Sequence, residues 1–444
     1  MSLVPSRRLL WVVLAIALVA VAAGPWPHLA AVWIIALGAL ALLALADAAW
    51  SLARKQPPRA GAPPVVRFAR DREGTVPVTF ENPGGRARRV RFALALPAEF
   101  ESPEPEMWVD LPADAGRARI AWRCTPRRRG RFGGVLACTE GGSTLGLWRT
   151  RTRAELPCEL RVHPNLLAER KHLAALFLAQ GRPGARVQRT LGRGREFEKL
   201  RDYQPGDGFD EVHWKATAKR GRPVTKVFQA ERTQEIYVVV DASRLSARPV
   251  VHEGVAQTAL ERAVTSALVL LIAAERQGDK FGLIAHDDRV RVAVRAGSGA
   301  AHYAACREAV LALRPSEATP DMAEIVRHLR AMIRRRALIF FLTDLTDPVL
   351  AEDFIRHVRL LSRQHLVLVG QLRAPEVAPL FTGAEAGTDA EVYRRLAGHV
   401  RWAEARGLAQ KLKPLGVTAV LLENEAMAGQ LVDHYMQVKR RQAL

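Results

Sequence analysis

Residues 235–246 read Glu-Ile-Tyr-Val-Val-Val-Asp-Ala-Ser-Arg-Leu-Ser, a run of apolar and β-branched side chains that ends at Asp241 and Ser243. A short strand of this composition, without polar alternation, is typical of a parallel sheet covered by helices on both faces. A carboxylate at the carboxyl end of such a strand lies where open α/β sheets bind ligands. The stretch therefore predicts an α/β domain with a candidate site at Asp241.

Strand and helix patterns alternate downstream of this run. Such alternation predicts a mainly parallel, doubly wound sheet over residues 235–444. The predicted strands cover residues 236–241, 280–285, 290–294, 338–344, 366–372 and 418–422. The predicted helices cover residues 255–276, 300–313, 322–335, 349–362, 390–415 and the run from 426.

Upstream, the segment 165–234 contains four short motifs. They are Gly-Arg-Gly-Arg-Glu-Phe at 192–197, Leu-Arg-Asp-Tyr-Gln-Pro-Gly-Asp at 200–207, Trp-Lys-Ala-Thr-Ala-Lys at 214–219, and Phe-Gln-Ala-Glu at 228–231. Together they resemble the bacterial domain-of-unknown-function family 58, although Asp210 and Glu211 stand where the family usually carries arginine. The candidate interaction residues here are Glu196, Arg201, Tyr203, Gly206, Asp207, Trp214, Lys215 and Thr217. The alternative is a salt-bridged clasp that only seats the segment against the sheet.

The resemblance implies that the C-terminal domain is similar to a von Willebrand factor A domain with a metal-ion-dependent adhesion site. The corresponding residues in this sequence are Asp241, Ser243, Thr319 and Asp344. Leu245 replaces the second serine of that site, and Arg244 and Arg248 add positive charge beside it. Because Mg²⁺ requires octahedral oxygen ligands, these differences predict a degenerate site. We expect the aspartates to accept loop or helix N–H groups instead, with Mg²⁺ binding as the alternative.

Residues 1–55 contain two apolar runs, at 9–23 and 29–46, separated by a Gly-Pro-Trp-Pro-His turn. Arg7 and Arg8 precede the first run, and Arg54 and Lys55 follow the second. The positive-inside rule predicts a transmembrane helical hairpin in the inner membrane with both ends in the cytoplasm. A cleaved signal peptide followed by a stop-transfer helix is the alternative for the first run. Both interpretations leave the soluble domains in the cytoplasm.

Residues 56–164 contain short alternating strand patterns separated by glycine-rich turns, which predict an all-β, immunoglobulin-like sandwich. The four cysteines show no close pair and no zinc-ligand spacing, as expected for a reducing compartment. The chain is therefore predicted to be multidomain: a helical hairpin, a sandwich, the motif segment 165–234, and the α/β domain.

The composition gives a formal net charge of +21. This surplus predicts that the protein binds near a polyanion, either nucleic acid or an anionic membrane surface. The sequence lacks a nucleophile elbow, a P-loop and a His-Glu-x-x-His motif, so we expect no enzyme. The resemblance implies a membrane-anchored interaction protein that works with a MoxR-type AAA+ ATPase in the assembly or activation of other complexes. The alternative is a basic nucleic-acid-binding protein at the membrane, although aromatic residues make up only 6% of the chain. The oligomeric state is left open.

Overall fold

The computed structural model describes residues 2–22, 30–53, 58–83, 87–113, 117–167, 191–204, 208–209, 212–229, 234–252, 254–382 and 387–441. The chain divides into two compact units, Met1–Asn165 and Leu166–Leu444. The predicted turn at 24–28, the flanking Arg54 and Lys55, and most of the helix expected over 165–184 lie outside the described residues. Gly206 and Asp207 also lie outside them.

The first unit begins with two apolar helices, α1 (Arg7–Ala22) and α2 (Ala30–Ala53), which contact each other. Among the described residues, one helix is long and apolar enough to cross a membrane, namely Ala31–Ala53 with a mean hydropathy of 2.2. Helix α1 has 16 residues and ends at Ala22, so the prediction of a second span is not established.

The rest of the first unit is a β domain. Its sheets run in the order β1-β11-β10-β5-β7, β2-β4-β8-β6 and β3-β12-β9. The strands are β1 (Ser2–Pro5), β2 (Arg59–Gly61), β3 (Val65–Ala69), β4 (Gly74–Glu81), β5 (Arg88–Ala95), β6 (Phe100–Glu101), β7 (Met107–Leu111), β8 (Arg117–Pro126), β9 (Gly130–Phe132), β10 (Val135–Gly142), β11 (Trp148–Leu156) and β12 (Glu159–His163).

All three sheets contribute to a single core in the β domain. Strands β4 and β5 alternate buried and exposed side chains, as expected when one sheet face is covered. Phe92 contacts both Phe80 and Trp122 edge-to-face, with ring centroids 4.9 and 5.5 Å apart. The core therefore joins the sheet containing β5 to the sheet containing β4 and β8.

The second unit opens with an antiparallel pair, β13 (Leu191–Asp202) and β14 (Val224–Gln229), joined by helix α3 (Trp214–Arg220). A six-stranded sheet follows in the order β19-β18-β15-β20-β21-β22. Its strands are β15 (Glu235–Asp241), β18 (Lys280–His286), β19 (Val290–Gly297), β20 (Ala337–Leu342), β21 (Leu366–Leu372) and β22 (Val417–Leu422). Strands β18, β15, β20, β21 and β22 are parallel, and β19 is an antiparallel edge.

Helices cover both faces of this sheet. They are α4 (Ala259–Arg276), α5 (Ala300–Ala309), α6 (Met322–Met332), α7 (Pro348–Ser362), α8 (Asp389–Leu412) and α9 (Met427–Arg440). Val238 and Val240 belong to the core with α4, α5 and α9, whereas Tyr237 and Val239 belong to the core with α6, α7 and α8. Burial on both faces explains why β15 lacks polar alternation.

The predicted helix over 255–276 was wrong in its first four residues. Val255–Thr258 form strand β17, which pairs antiparallel with β16 (Pro249–His252). Thr258 accepts a hydrogen bond from the Glu261 N–H and caps α4, so the helix begins at Ala259. Residues 255–258, with β-branched side chains at Val255 and Thr258, fit a hairpin strand as well as a helix, and the periodicity alone did not separate the two.

Candidate functional site

Asp241 is the last residue of β15 and is 3% exposed. Its Oδ1 accepts the Ser243 N–H at 2.8 Å, and its Oδ2 accepts the Thr343 hydroxyl at 2.7 Å. Thr343 directly follows β20, the strand next to β15, so the parallel pairing brings the hydroxyl to the carboxylate. Both oxygens of Asp241 are therefore bound within the protein.

Ser243 begins a 3₁₀ turn, Arg244–Ala247, at the carboxyl edge of the sheet. Its hydroxyl accepts the Leu245 N–H at 3.3 Å, and its carbonyl accepts the Ser246 hydroxyl at 2.8 Å. The loop thus closes on itself, and the two serine hydroxyls support the turn.

Thr319 is exposed in the loop before α6, where its Oγ1 accepts Arg244 Nε at 3.3 Å. Asp344 directly follows Thr343, and 21% of its side chain is exposed. Its Oδ1 accepts both the N–H and the hydroxyl of Thr346, at 3.0 and 2.7 Å. Both aspartates act here as loop acceptors.

A cavity of about 40 Å³ lies at this carboxyl edge and is lined by both aspartates. Apolar residues from the sheet, α4 and α9 line it together with polar groups from the loops that follow β15 and β20. Its lining residues are Asp241, Leu245, Ser246, Arg248, Ala259, Ala263, Leu342, Thr343, Asp344, Gly370, Leu372 and Met427. This cavity, the edge pocket, is large enough for a few water molecules.

Arg248 brings a permanent positive charge into the edge pocket. Its Nη2 donates to the Leu372 carbonyl at 2.8 Å, and its Nη1 lies 3.8 Å from Asp344 Oδ2. Within the described part of the chain, its buried Nε has no hydrogen-bond partner. The guanidinium is therefore held in place with donor capacity to spare.

The donor set of the edge pocket does not suit Mg²⁺. Leu245 lines the pocket with a hydrocarbon side chain at the position where the family resemblance implies a serine ligand. Asp241 is already bonded at both oxygens, and Arg248 adds a cation near Asp344. In the described ranges, no group of three or more His, Cys, Asp or Glu side chains is arranged to hold a metal ion.

His286 is paired with Asp241 in the register of β18 and β15 and is almost fully buried. Burial lowers its pKa, although the nearby charges of Asp241 and Asp287 oppose the shift. Burial alone would raise the pKa of Asp287, but hydrogen bonds from neighbouring groups, including the Arg289 N–H and Arg291, lower it to about 2. The interior beside the pocket therefore holds a neutral imidazole and a paired carboxylate at neutral pH.

The motif segment forms the β13–α3–β14 unit. Glu196 lies on β13, Arg201 donates to the Asp202 carbonyl at 3.2 Å, and the Tyr203 N–H donates to the Pro223 carbonyl at 3.0 Å. Thr217 Oγ1 accepts the Val224 N–H at 3.0 Å and so ties α3 to β14. Lys215 is exposed on α3.

Two aromatic side chains of this segment, Phe209 and Trp214, are exposed at the surface. Trp214 is 61% exposed and Phe209 is 77% exposed, and their ring centroids lie 6.1 Å apart. The sequence pattern did not reveal this pair, because Phe209 lies outside the four motifs, whereas Trp214 opens the third.

The profile of a family described as "Protein of unknown function DUF58" matches residues 199–401, from β13 to α8. Residues 199–401 are therefore a DUF58 region. Its matched relatives include uncharacterized proteins of Mycobacterium bovis and Mycobacterium tuberculosis, each 28% identical over 187 residues. That alignment covers 41% of this chain and 56% of each relative, so the chain spans about half the length of the curated relatives it matches.

Solved structures similar to this chain include the conserved hypothetical protein BatB from Bacteroides thetaiotaomicron. It is 15% identical, covers 47% of this chain and 99% of its own, and has a TM-score of 0.31. The PapD-like domain 7 of human CEP192 is 12% identical, covers 25% of this chain and 89% of its own, and has a TM-score of 0.18.

Proposed function

We propose that this DUF58 protein is a non-enzymatic, membrane-anchored interaction module whose edge pocket docks a partner protein. In this proposal the α/β unit is von Willebrand A-like, the β domain is an immunoglobulin-like sandwich, and both are in the cytoplasm. The observation that carries it is the convergence of Asp241, Asp344 and Arg248 on one small pocket at the carboxyl edge of the sheet. Open α/β sheets bind their ligands at that edge.

Arg248 is the proposed anchor for an acidic side chain of the partner. Thr346 already supplies two donors to Asp344, so the 3.8 Å approach of Arg248 is not needed to satisfy that carboxylate. The Arg248 side chain is 32% exposed, so the outer edge of its guanidinium can donate to a second carboxylate. The net charge of +21 favours association with an acidic surface.

The proposed partner is a MoxR-type AAA+ ATPase, as the family resemblance implies. Docking requires no metal in this proposal, because the arginine supplies the positive charge that a bound ion provides in a metal-ion-dependent adhesion site. Mg²⁺ dependence is therefore an outcome of the test.

The test measures binding of the full-length chain in nanodiscs to a MoxR-type ATPase of the same organism by biolayer interferometry. Arg248→Glu should weaken binding by about 30-fold or more, the range for loss of a buried charge pair at an interface. Arg248→Lys should retain part of the affinity. Asp344→Asn should preserve or strengthen binding, because it removes a negative charge beside the docked carboxylate.

The same variants separate this mechanism from two others. If docking depends on a metal ion, both EDTA and Asp344→Asn should abolish binding. If the partner instead inserts a basic side chain, Asp344→Asn should abolish binding and EDTA should not. If the affinity stays unchanged with Arg248→Glu, the edge pocket is not the docking surface.

A second candidate function is binding of single-stranded nucleic acid, and the exposed Phe209–Trp214 pair favours it. The exposed Lys215 and Lys219 lie on the same short helix as Trp214. Bases stack on such aromatic side chains while nearby cations contact phosphates. Binding to an oligonucleotide that falls steeply with salt and is lost with Trp214→Ala would support this function. Weak binding that Trp214→Ala does not change would exclude it.

A further inference from the structure

Residues 143–148 of the β domain contact helix α2 through three hydrogen bonds. The Ser143 hydroxyl donates to Asp47 Oδ2, and the Leu145 N–H donates to Asp47 Oδ1 at 3.0 Å. Trp148 Nε1 donates to the Ala44 carbonyl at 2.8 Å. Asp47 is 2% exposed, so the contact excludes solvent from the carboxylate.

The same loop holds the start of helix α1. Strand β1 pairs antiparallel with β11, with Ser2 opposite Arg151 and Pro5 opposite Trp148. The Ser6 N–H then donates to the Leu147 carbonyl at 2.9 Å, and Ser6 Oγ accepts the Leu9 N–H at 3.2 Å. The residues before α1 are therefore an edge strand of the β domain followed directly by a helix cap.

Gly146 allows this arrangement at the centre of the loop. Its φ of +75° is unfavourable for other residues, and a Cβ there would lie 3.3 Å from the Arg8 guanidinium. Arg7 and Arg8 are exposed at the first turn of α1. The loop thus contacts both the start of α1, where the two basic residues lie, and the C-terminal part of α2.

Away from this loop, both helices expose apolar side chains. Trp11 and Val21 on α1 are 68% and 79% exposed, and Ile35 and Leu42 on α2 are 69% and 70% exposed. A soluble surface rarely carries apolar area of this extent. Helix α2 has the length and apolar composition of a membrane-crossing helix, so lipid is the covering medium in the proposal that follows. A carboxylate is costly in hydrocarbon, so the buried Asp47 marks the end of α2 that leaves the bilayer.

We propose that residues 2–6 and 143–148 form a membrane clamp that seats the β domain on the bilayer surface. Both helices are retained and enter the lipid side by side from the same side of the membrane. Leu145, which is 56% exposed at the loop, inserts at the lipid interface, and Arg7 and Arg8 lie at the headgroups. The clamp rests on the proposed membrane anchoring and goes beyond it, because it fixes the topology of α1 and identifies a lipid-contacting loop.

The clamp also distinguishes between the two interpretations of the first apolar run. Cleavage after that run would remove β1 and the Ser6 cap, leaving the edge of β11 and the Leu147 carbonyl without these partners. A retained helix keeps both pairings, so the clamp requires the first run to stay in the mature chain.

The first experiment tests retention and register by forming a disulfide in native membranes. The Val4→Cys and Arg149→Cys pair is in register across β1 and β11, in a background in which Cys138 is replaced by serine. Opposed residues in an antiparallel pair are about 4.5–5.5 Å apart at Cα, within the range of a disulfide. The control pair, Val4→Cys with Arg153→Cys, is four residues out of register, or about 13 Å along the strand.

Peptide mapping should detect an intrachain disulfide in most of the in-register variant and in about a tenth or less of the control. The intact mass should include residues 1–23. Equal crosslinking of the two pairs, or a mature chain that begins after the first run, overturns the clamp.

The second experiment measures lipid contact at residue 145. A fluorescent label is attached to Leu145→Cys or to the control Leu136→Cys, which is 38% exposed at the opposite end of β10. In phosphatidylethanolamine–phosphatidylglycerol vesicles, brominated lipid should quench the label at 145 several-fold more than the label at 136. Equal quenching overturns the assignment of Leu145 to the lipid interface.

Alkaline carbonate extraction of the same membranes distinguishes failure of the membrane anchoring from failure of the clamp. Extraction of the chain from the membrane contradicts the anchoring on which the proposed function depends. A chain that resists extraction but shows neither the disulfide nor the quenching keeps its anchor and lacks the clamp.

Discussion

Replacing Thr343 by valine removes the hydroxyl that donates to Asp241 Oδ2 while keeping the side-chain shape. Thr343 and Asp241 are 6% and 3% exposed, so water cannot readily replace the lost donor. Leaving a buried charged acceptor without a donor costs about 1–3 kcal/mol. This loss of stability should be concentrated in the turn Arg244–Ala247, because Asp241 holds the start of that turn through the Ser243 N–H.

Hydrogen exchange measured by mass spectrometry at neutral pH provides the assay. A cost of about 1–3 kcal/mol corresponds to roughly 5- to 150-fold faster exchange of the amides of residues 242–247, provided that opening is in rapid equilibrium. The matched control is Thr346→Val, which removes a similar hydroxyl from the more exposed Asp344. We expect a several-fold smaller effect there. Equal effects of the two variants, or no change with Thr343→Val, would refute the role assigned to the buried hydrogen bond.

Three further predictions follow from other contacts of the second unit and from the cysteines. Arg291→Leu should raise the pKa of Asp287 from about 2 and destabilise the folded chain at neutral pH. The loss of stability relative to the unsubstituted chain should shrink as the pH falls below about 4 and vanish near 2, which acid unfolding curves of the two chains would show. Gly398→Ala should destabilise the chain by about 1–3 kcal/mol in thermal unfolding, because its Cβ would lie 1.9 Å from the Glu376 carbonyl oxygen, whereas Gly407→Ala meets open space and should not. Cys138 is half-buried while the other three cysteines are buried, so maleimide labelling followed by peptide mapping should detect it first.

The central sheet could be predicted closely from the sequence because its strands are buried on both faces. Strand β21 begins and ends at the predicted residues, and β15 begins one residue before the predicted start. Their apolar, β-branched runs are bounded by polar or turn residues, which leaves little ambiguity. The helical bounds were less accurate, and the hairpin strand Val255–Thr258 was assigned to a helix.

Strand β1 could not be predicted because its four residues carry no strand signal of their own. Ser2–Pro5 includes a proline and is stabilised by pairing with β11, a contact between distant parts of the sequence. Asp47 illustrates the same limit, because a lone aspartate directly after an apolar run gives no indication of the loop that binds it.

The candidate site was predictable only in part for a related reason. The family resemblance placed Asp241 and Asp344 after two strands, and those strands are neighbours in the sheet. Thr343 was not identified, because its bond to Asp241 depends on the order and register of β15 and β20. Arg248 was noted for its charge, whereas its position in the edge pocket depends on the fold of the loop after β15.

The pairing of β1 with β11 has a consequence for how the chain is made. The two strands are separated by more than 140 residues, so the first strand leaves the ribosome long before its partner exists. At about 5–20 residues per second, the delay is roughly 7–30 s. During this interval the edge of the sheet is incomplete. If helix α1 has already entered the bilayer, the search of β1 for β11 is restricted to the membrane surface, which reduces the entropic cost of closing so long a loop.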